Sequence, residues 1–381
     1  MDGDQGDLTP FSISVSDEQL KVLKAKLEGA IIARDTDGKG GECGVPPDKI
    51  SQLVRYWING FDWRAKENEL NRFPQYRRKI QVSGPGLYLE GTKVLEMLTS
   101  KDGSGPAFDV VVPSLPNFGF SSAVQKKGFG IKKYAEVCHK LMISLGYDEY
   151  VTHGGDWGYF ITRMMGRLYP SHCKASHVTS APFGPPSFRQ NPLLYLQDLV
   201  TTKSAADLRA LEKAKEYNET QLGYLTLQCS KPLSLGYALA DSPVALLGWI
   251  VEKLYTWSDN YPWTDEELIT WISIYWFSTA GPEANVRIYY EFAHDPDPDV
   301  ETVRTGRVST VKYAVAHFPG EIIRCPKLWS HQMGNVIHQS DGDTGGHFPG
   351  WENPQFLAND LKTIFRKGGV AYGAVRGRTG Y

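Results

Sequence analysis

This chain of 381 residues predicts an α/β fold with a mostly parallel sheet, an N-terminal helical leader and an inserted helical cap. Three observations predict it. A β-branched and aromatic run, Tyr150-Val151-Thr152, enters a tight turn at Gly154-Gly155-Asp156-Trp157-Gly158 and leaves as a helix-compatible segment, Tyr159 to Arg163. Strand-like and helix-like segments alternate around that turn from Phe108 to Ser180, the order expected of a parallel sheet with helices on both faces. From Pro182 to about Asp299 the alternation gives way to a helical, aromatic-rich pattern, and strand candidates resume after it. The implied divisions are a leader over 1–80, the first part of the core over 81–181, the cap over 182–299 and the second part of the core over 300–381.

In chain order, Ser16-Asp17-Glu18-Gln19 has capping-box spacing, with Leu20, Leu23 and Leu27 on one helical face behind it. A glycine-rich loop, Asp37 to Gly44, separates this helix from a second that opens at Pro46-Pro47-Asp48. The leader is expected to pack on the main domain. Thr92 to Leu98 reads as a helix and Phe108 to Pro113 as a buried strand. A loop, Ser114 to Phe120, leads to a helix over Ile131 to Leu145, whose inward residues are Tyr134, Cys138, Leu141, Met142 and Leu145. Ala175 to Ser180, Tyr313 to Phe318 and Asn335 to His338 supply further strands, and Pro354 to Lys367 a closing helix.

Composition excludes several classes. The net charge of −2 comes with no basic stripe, which argues against nucleic acid as a partner. Five cysteines without CxxC spacing suggest neither a disulfide framework nor a zinc site. The polar, acidic start is unlike a signal peptide, and the longest apolar run, around Val244 to Val251, is too short to span a bilayer. A cytoplasmic protein is the expectation.

The Gly-Gly-Asp turn has the form of a nucleophile elbow, with aspartate where serine is more familiar. A serine that opened an epoxide or displaced a halide would end as an ether, which water does not readily cleave, whereas Asp156 would give an ester. Taken alone, the same residues equally describe a tight turn with a solvated carboxylate. Cleaving an ester requires a group that activates water, and histidine suits that work. Of nine histidines, His347 is favoured because it follows Gly345-Gly346 between the last strand candidate and the last helix. His317 and His338 sit within strand-like runs and read as structural. Glu321, at the end of a strand candidate, is the carboxylate chosen to support His347, while Asp341 and Asp343 read as turn residues. Opening an epoxide also needs a protonated donor for the alkoxide, and tyrosine, with a pKa of about 10, fits. Twenty tyrosines leave that choice open.

The elbow, the leader segment Phe61-Asp62-Trp63-Arg64, the loop Ser114-Leu115-Pro116-Asn117-Phe118-Gly119-Phe120-Ser121 and the terminal Gly345-Gly346-His347-Phe348 together resemble the microsomal-type epoxide hydrolases, particularly their fungal members. The likeness runs from about Phe11 to Gly369. It implies an α/β-hydrolase fold with a helical cap, no cofactor and no metal, a small apolar epoxide and water as reactants, and a vicinal diol as product. It also implies Asp156 as nucleophile, a Glu321–His347 pair that activates water, and Trp157 as a substrate-binding residue whose backbone N–H holds the oxyanion. The two cap tyrosines of the family map onto Tyr224 and Tyr289, with Tyr237 and Tyr290 as near competitors. Microsomal members carry a membrane anchor, for which this sequence shows no apolar run, and a homodimer is left open.

One departure separates the chain from that family. The segment matching Pro74-Gln75-Tyr76 is there followed by two strands, a turn and a third strand ending in a His-Gly-Trp-Pro loop, whose tryptophan N–H is the second oxyanion donor. Here Arg78 to Gln81 passes almost directly to Val82-Ser83-Gly84-Pro85-Gly86, so one or more sheet strands are expected to be missing before Pro85. Losing one such donor costs roughly 2.7–4 kcal/mol in the barrier. The alternatives are therefore a catalytically impaired or binding-only homologue, and a haloalkane dehalogenase, which also uses an aspartate.

Overall fold

The computed structural model of the chain describes residues 8–34, 42–78, 89–103, 105–179 and 181–381. Two short strands, β1 (Thr9–Phe11) and β2 (Gln75–Arg77), pair antiparallel. The main sheet holds four strands in the order β3 (Tyr150–Gly154), β4 (Cys173–Val178), β5 (Val308–His317) and β6 (Gly334–Asp341). Every pairing in it is parallel. Side chains alternate across such a sheet. Tyr313 and Val315 face helices Ile131–Ser144 and Trp157–Leu168 in one buried cluster, while Ala175 and Ala314 face helices Leu89–Thr99 and Pro354–Phe365 in another. Covered on both faces, β4 and the second half of β5, Tyr313 to His317, are buried almost throughout. In the helix Ile131–Ser144, Tyr134 and Cys138 are buried as predicted, but Leu141, Met142 and the capping Leu145 are only half-buried.

The predicted strand from Phe108 to Pro113 is not one in the described structure. Its apolar residues are half-buried: Phe108 and Val110 pack against the closing helix, with the Phe108 ring edge-on to Phe365. Among the described residues, however, its backbone has no parallel neighbour, and the Phe108 N–H donates to Leu98 O at 2.8 Å instead. A strand exists only where another strand takes up its N–H and C=O groups. Consistent with that, β3, which carries the elbow, is an edge strand bonded only to β4 among the described residues. Residues 79–88, including the Val82 to Gly86 junction, lie outside the described residues, as does part of the loop from Asp37 to Gly44.

The leader forms helices Asp17–Glu28, Pro47–Asn59 and Trp63–Leu70. The predicted capping box is complete, Ser16 and Gln19 each accepting the other's backbone N–H. Asp62 caps the third helix by accepting Ala65 N–H at 3.0 Å. Contrary to expectation, the leader packs chiefly on the helices inserted between β4 and β5. Leu23, Leu53, Trp57 and Trp63 share one core with Leu246, Val251, Trp271 and Ile272 of helices Pro243–Trp257 and Asp265–Trp276. Those two helices are apolar around most of their circumference, and the leader's apolar face covers part of it. Among the described residues no single helix is long and apolar enough to cross a membrane; Pro232–Asp241 and Pro243–Trp257 reach that composition only as a pair, bent by 116°.

Candidate active site

Asp156 ends the turn after β3 with φ 47° and ψ −122° and caps the N-terminus of helix Trp157–Leu168. A non-glycine residue with positive φ is held there by its surroundings. The flanking glycines make this possible. A Cβ on Gly154 would meet Gly158 O at 2.4 Å, and one on Gly155 would meet Thr179 Oγ1 at 2.4 Å. The carboxylate is thus raised clear of the strand, its side chain 53% exposed, at the positive end of the helix dipole. Trp157, the first residue of that helix, has a backbone N–H that the helix itself cannot satisfy.

His347 lies on the loop after β6. Gly345 adopts φ 114°, and a Cβ on Gly346 would strike Trp257 O at 2.5 Å, so both glycines are required for the loop to press against the end of helix Pro243–Trp257. His347 N–H donates to Trp257 O at 2.8 Å, and Gly345 N–H to Asp259 Oδ2 at 3.0 Å. The imidazole Nδ1 stands 2.9 Å from Glu321 Oε1, and Nε2 stands 3.9 Å from Asp156 Oδ2, beyond direct hydrogen bonding. Burial disfavours the charged ring, but the Glu321 carboxylate, followed by Asp156, outweighs it and holds His347 well above the usual histidine range. Glu321 is buried. The rival histidines are engaged elsewhere: His317 with Gln339 at 2.8 Å and His338 with Asp360 at 3.2 Å. Asp341 pairs with Lys327, and Asp343 sits in an exposed turn bonded to Thr344 N–H.

Tyr224, on helix Gly223–Ser230, and Tyr289, on helix Arg287–Ala293, come from separate helices to the same place. Their ring centroids are 6.0 Å apart and edge-on. Tyr289 is also edge-on to Trp157 at 4.8 Å, and Tyr224 packs on Trp257 at 5.0 Å. Burial, followed by the Asp156 charge, holds Tyr289 far above the ordinary phenol range; burial, followed by Tyr289, does the same for Tyr224. Both remain protonated donors at neutral pH. Tyr237 is 70% exposed, and Tyr290 stacks on His294. Phe160 and Phe292 complete an aromatic wall beside Trp157. Among the described residues no group of three or more His, Cys, Asp or Glu side chains could hold a metal ion.

Two residues at this site are not evident from sequence. Asp259 anchors the His347 loop, and Tyr217 bonds Tyr224 through their hydroxyls at 2.7 Å. Asp259 follows a helix end and resembles any turn residue. Tyr217 precedes Tyr224 by two helical turns, but it sits on helix Ala205–Thr220, and the break at Gln221 destroys the periodicity that would have linked them.

Comparison with known proteins agrees with this geometry. Residues 8–95 match the epoxide hydrolase N-terminus family and residues 92–277 the alpha/beta hydrolase fold family. A Stigmatella aurantiaca protein bearing the epoxide hydrolase name is 33% identical, over 94% of this chain and 85% of its own length. That alignment runs over 393 positions, more than the chain's 381 residues, so the relative carries residues without a counterpart here. The Aspergillus niger epoxide hydrolase superposes with a TM-score of 0.77 at 27% identity, over 93% of this chain and 95% of the other. The juvenile hormone epoxide hydrolase of Bombyx mori does so with a TM-score of 0.84 at 25% identity, over 94% of each. The chain belongs to the epoxide hydrolase family of α/β hydrolases.

Proposed function

We propose that this chain converts apolar epoxides to vicinal diols through an ester on Asp156. The Asp156 carboxylate attacks an epoxide carbon, the C–O bond of the ring breaks, and its electron pair takes a proton from Tyr224 or Tyr289. His347, supported by Glu321, then removes a proton from water as its oxygen adds to the Asp156 carbonyl carbon. Collapse of the tetrahedral species releases the diol, which takes one proton from water; the other returns to the tyrosinate. The observation that carries this reading is the alignment of the strained Asp156, His347 Nε2 3.9 Å away, and Glu321 behind it at 2.9 Å. The aromatic wall beside Trp157 supports an apolar substrate. Unpaired thiols at all five cysteines, three of them buried, support a cytoplasmic location.

The test is a single turnover in heavy-oxygen water. The first diol should carry light oxygen from the enzyme, and the label should appear in the Asp156 carboxylate. Solvent oxygen in the first-turnover diol would eliminate the ester. A second reading, impaired turnover, rests on the edge position of β3 among the described residues: Trp157 N–H would serve as one oxyanion donor, and the second donor that the resemblance implies falls in the segment this sequence lacks. A rate of ester hydrolysis far below that of alkylation is its signature.

A further inference from the structure

The hydroxyl contact between Tyr217 and Tyr224 joins a buried group that the proposed steps do not use to one that they do. Tyr217 is 4% exposed. Its ring packs with Trp257 and with Ile322, the neighbour of Glu321, beside Tyr224. A phenol has one proton to give. When Tyr224 directs its proton at the epoxide oxygen, the proton lying between the two hydroxyls must belong to Tyr217.

We propose that Tyr217 is a positioning residue for epoxide opening, donating its O–H to Tyr224 Oη so that the Tyr224 proton points at the epoxide oxygen and the resulting tyrosinate is stabilised. The inference rests on Tyr224 acting as an acid. In the step itself, the Asp156–carbon bond forms, the epoxide C–O bond breaks, and the Tyr224 proton moves to the epoxide oxygen. The Tyr217 proton stays on its own oxygen, now bonded to an anion. A hydrogen bond to an ion is shorter and stronger than one between neutral groups, so this contact tightens as the barrier is crossed. Tyr217 is protonated when the step begins, because burial holds its hydroxyl above the ordinary phenol range, opposed by the Tyr224 contact. Tyr289 instead faces the edge of Trp157. The two acids are therefore unequal in their surroundings, and Tyr224 is the one whose hydroxyl meets a second phenol.

The test follows adduct formation on Asp156 by intact mass, with a simple aryl epoxide, in Tyr217→Phe, Tyr224→Phe and the double variant. Tyr217→Phe should slow alkylation about tenfold or more, the effect of one hydrogen bond to a charged group. The epoxide concentration that half-saturates alkylation should stay unchanged, because the lost bond strengthens only as the epoxide opens, whereas lost packing around the site would move it. In the Tyr224→Phe background it should change nothing. An equal slowing in both backgrounds, or an unchanged rate while Tyr224→Phe is slow, overturns the role of Tyr217. A Tyr224→Phe variant that alkylates normally, or an unsubstituted chain that never forms adduct, instead overturns the reading of Tyr224 on which it depends. Should Tyr217→Phe melt early, Tyr217→Met removes the hydroxyl with similar bulk and is judged by the same comparisons.

Discussion

A methyl group at residue 154 would sit 2.4 Å from Gly158 O and 2.5 Å from its carbonyl carbon. Both are backbone atoms, so no rotamer change relieves the clash. Gly154→Ala should destabilise the fold by about 1–3 kcal/mol, the usual cost of overpacking, and abolish alkylation by displacing Asp156. A variant with unchanged melting and adduct formation would show that the elbow tolerates a Cβ. At His347 the expectation concerns timing. Two carboxylates raise it in the free protein, but esterification removes the charge of Asp156, and the ring should then lose protons more readily, when it is needed as a base. Ester hydrolysis should rise with pH through a pKa lower than that of His347 in the free protein, while alkylation needs no base. His347→Gln should accordingly accumulate an adduct one substrate heavier on Asp156. A folded variant that binds substrate but neither turns over nor accumulates adduct contradicts that assignment.

Helices Gly223–Ser230 and Arg287–Ala293 matter because each supplies one donor from the inserted region to an elbow built on the sheet. Tyr224→Phe and Tyr289→Phe should each slow alkylation, and the double change should nearly abolish it, by about 10²–10⁴ if general-acid catalysis is lost. Unchanged alkylation in both single variants would place the donors elsewhere. The strands carry a different expectation. The outer edge of β3 has no strand beside it among the described residues, and unpaired backbone groups cost about 1–3 kcal/mol each where they are buried. Inserting a strand-turn-strand with a His-Gly-Trp-Pro loop between Gln81 and Pro85 should raise melting temperature and turnover together. If the inserted chain is neither more stable nor faster, the edge position of β3 is not what limits this protein.

At the scale of the whole molecule, two histidines with depressed pKa values contribute to the loss of stability in acid. His317 is lowered to about 4, mainly by burial, although Gln339 opposes this; His139 is also lowered to about 4, by burial and then by His172 and Lys140. Each has a folded pKa below its unfolded value near 6.5, so its stabilising contribution is complete above about pH 6.5 and is lost as pH falls toward about 4. For the buried His317 this amounts to roughly 3 kcal/mol. Melting temperature should fall over that interval, and His317→Gln should make the fall shallower; an unchanged slope would remove His317 from the account. The sequence by itself determined what depends on a few neighbouring residues. The Ser16 capping box, the glycines that let Asp156 turn at φ 47° and those that bring His347 to the end of a helix are rules of sterics and local hydrogen bonding. A buried-looking run such as Phe108 to Pro113 is legible as apolar but not as a strand, because strandhood depends on a partner elsewhere in the chain. For the same reason the docking of the leader on the inserted helices and the meeting of Tyr217 with Tyr224 were decided only by the tertiary structure. Those contacts join separate helices, and no period along the chain encodes the distance between them.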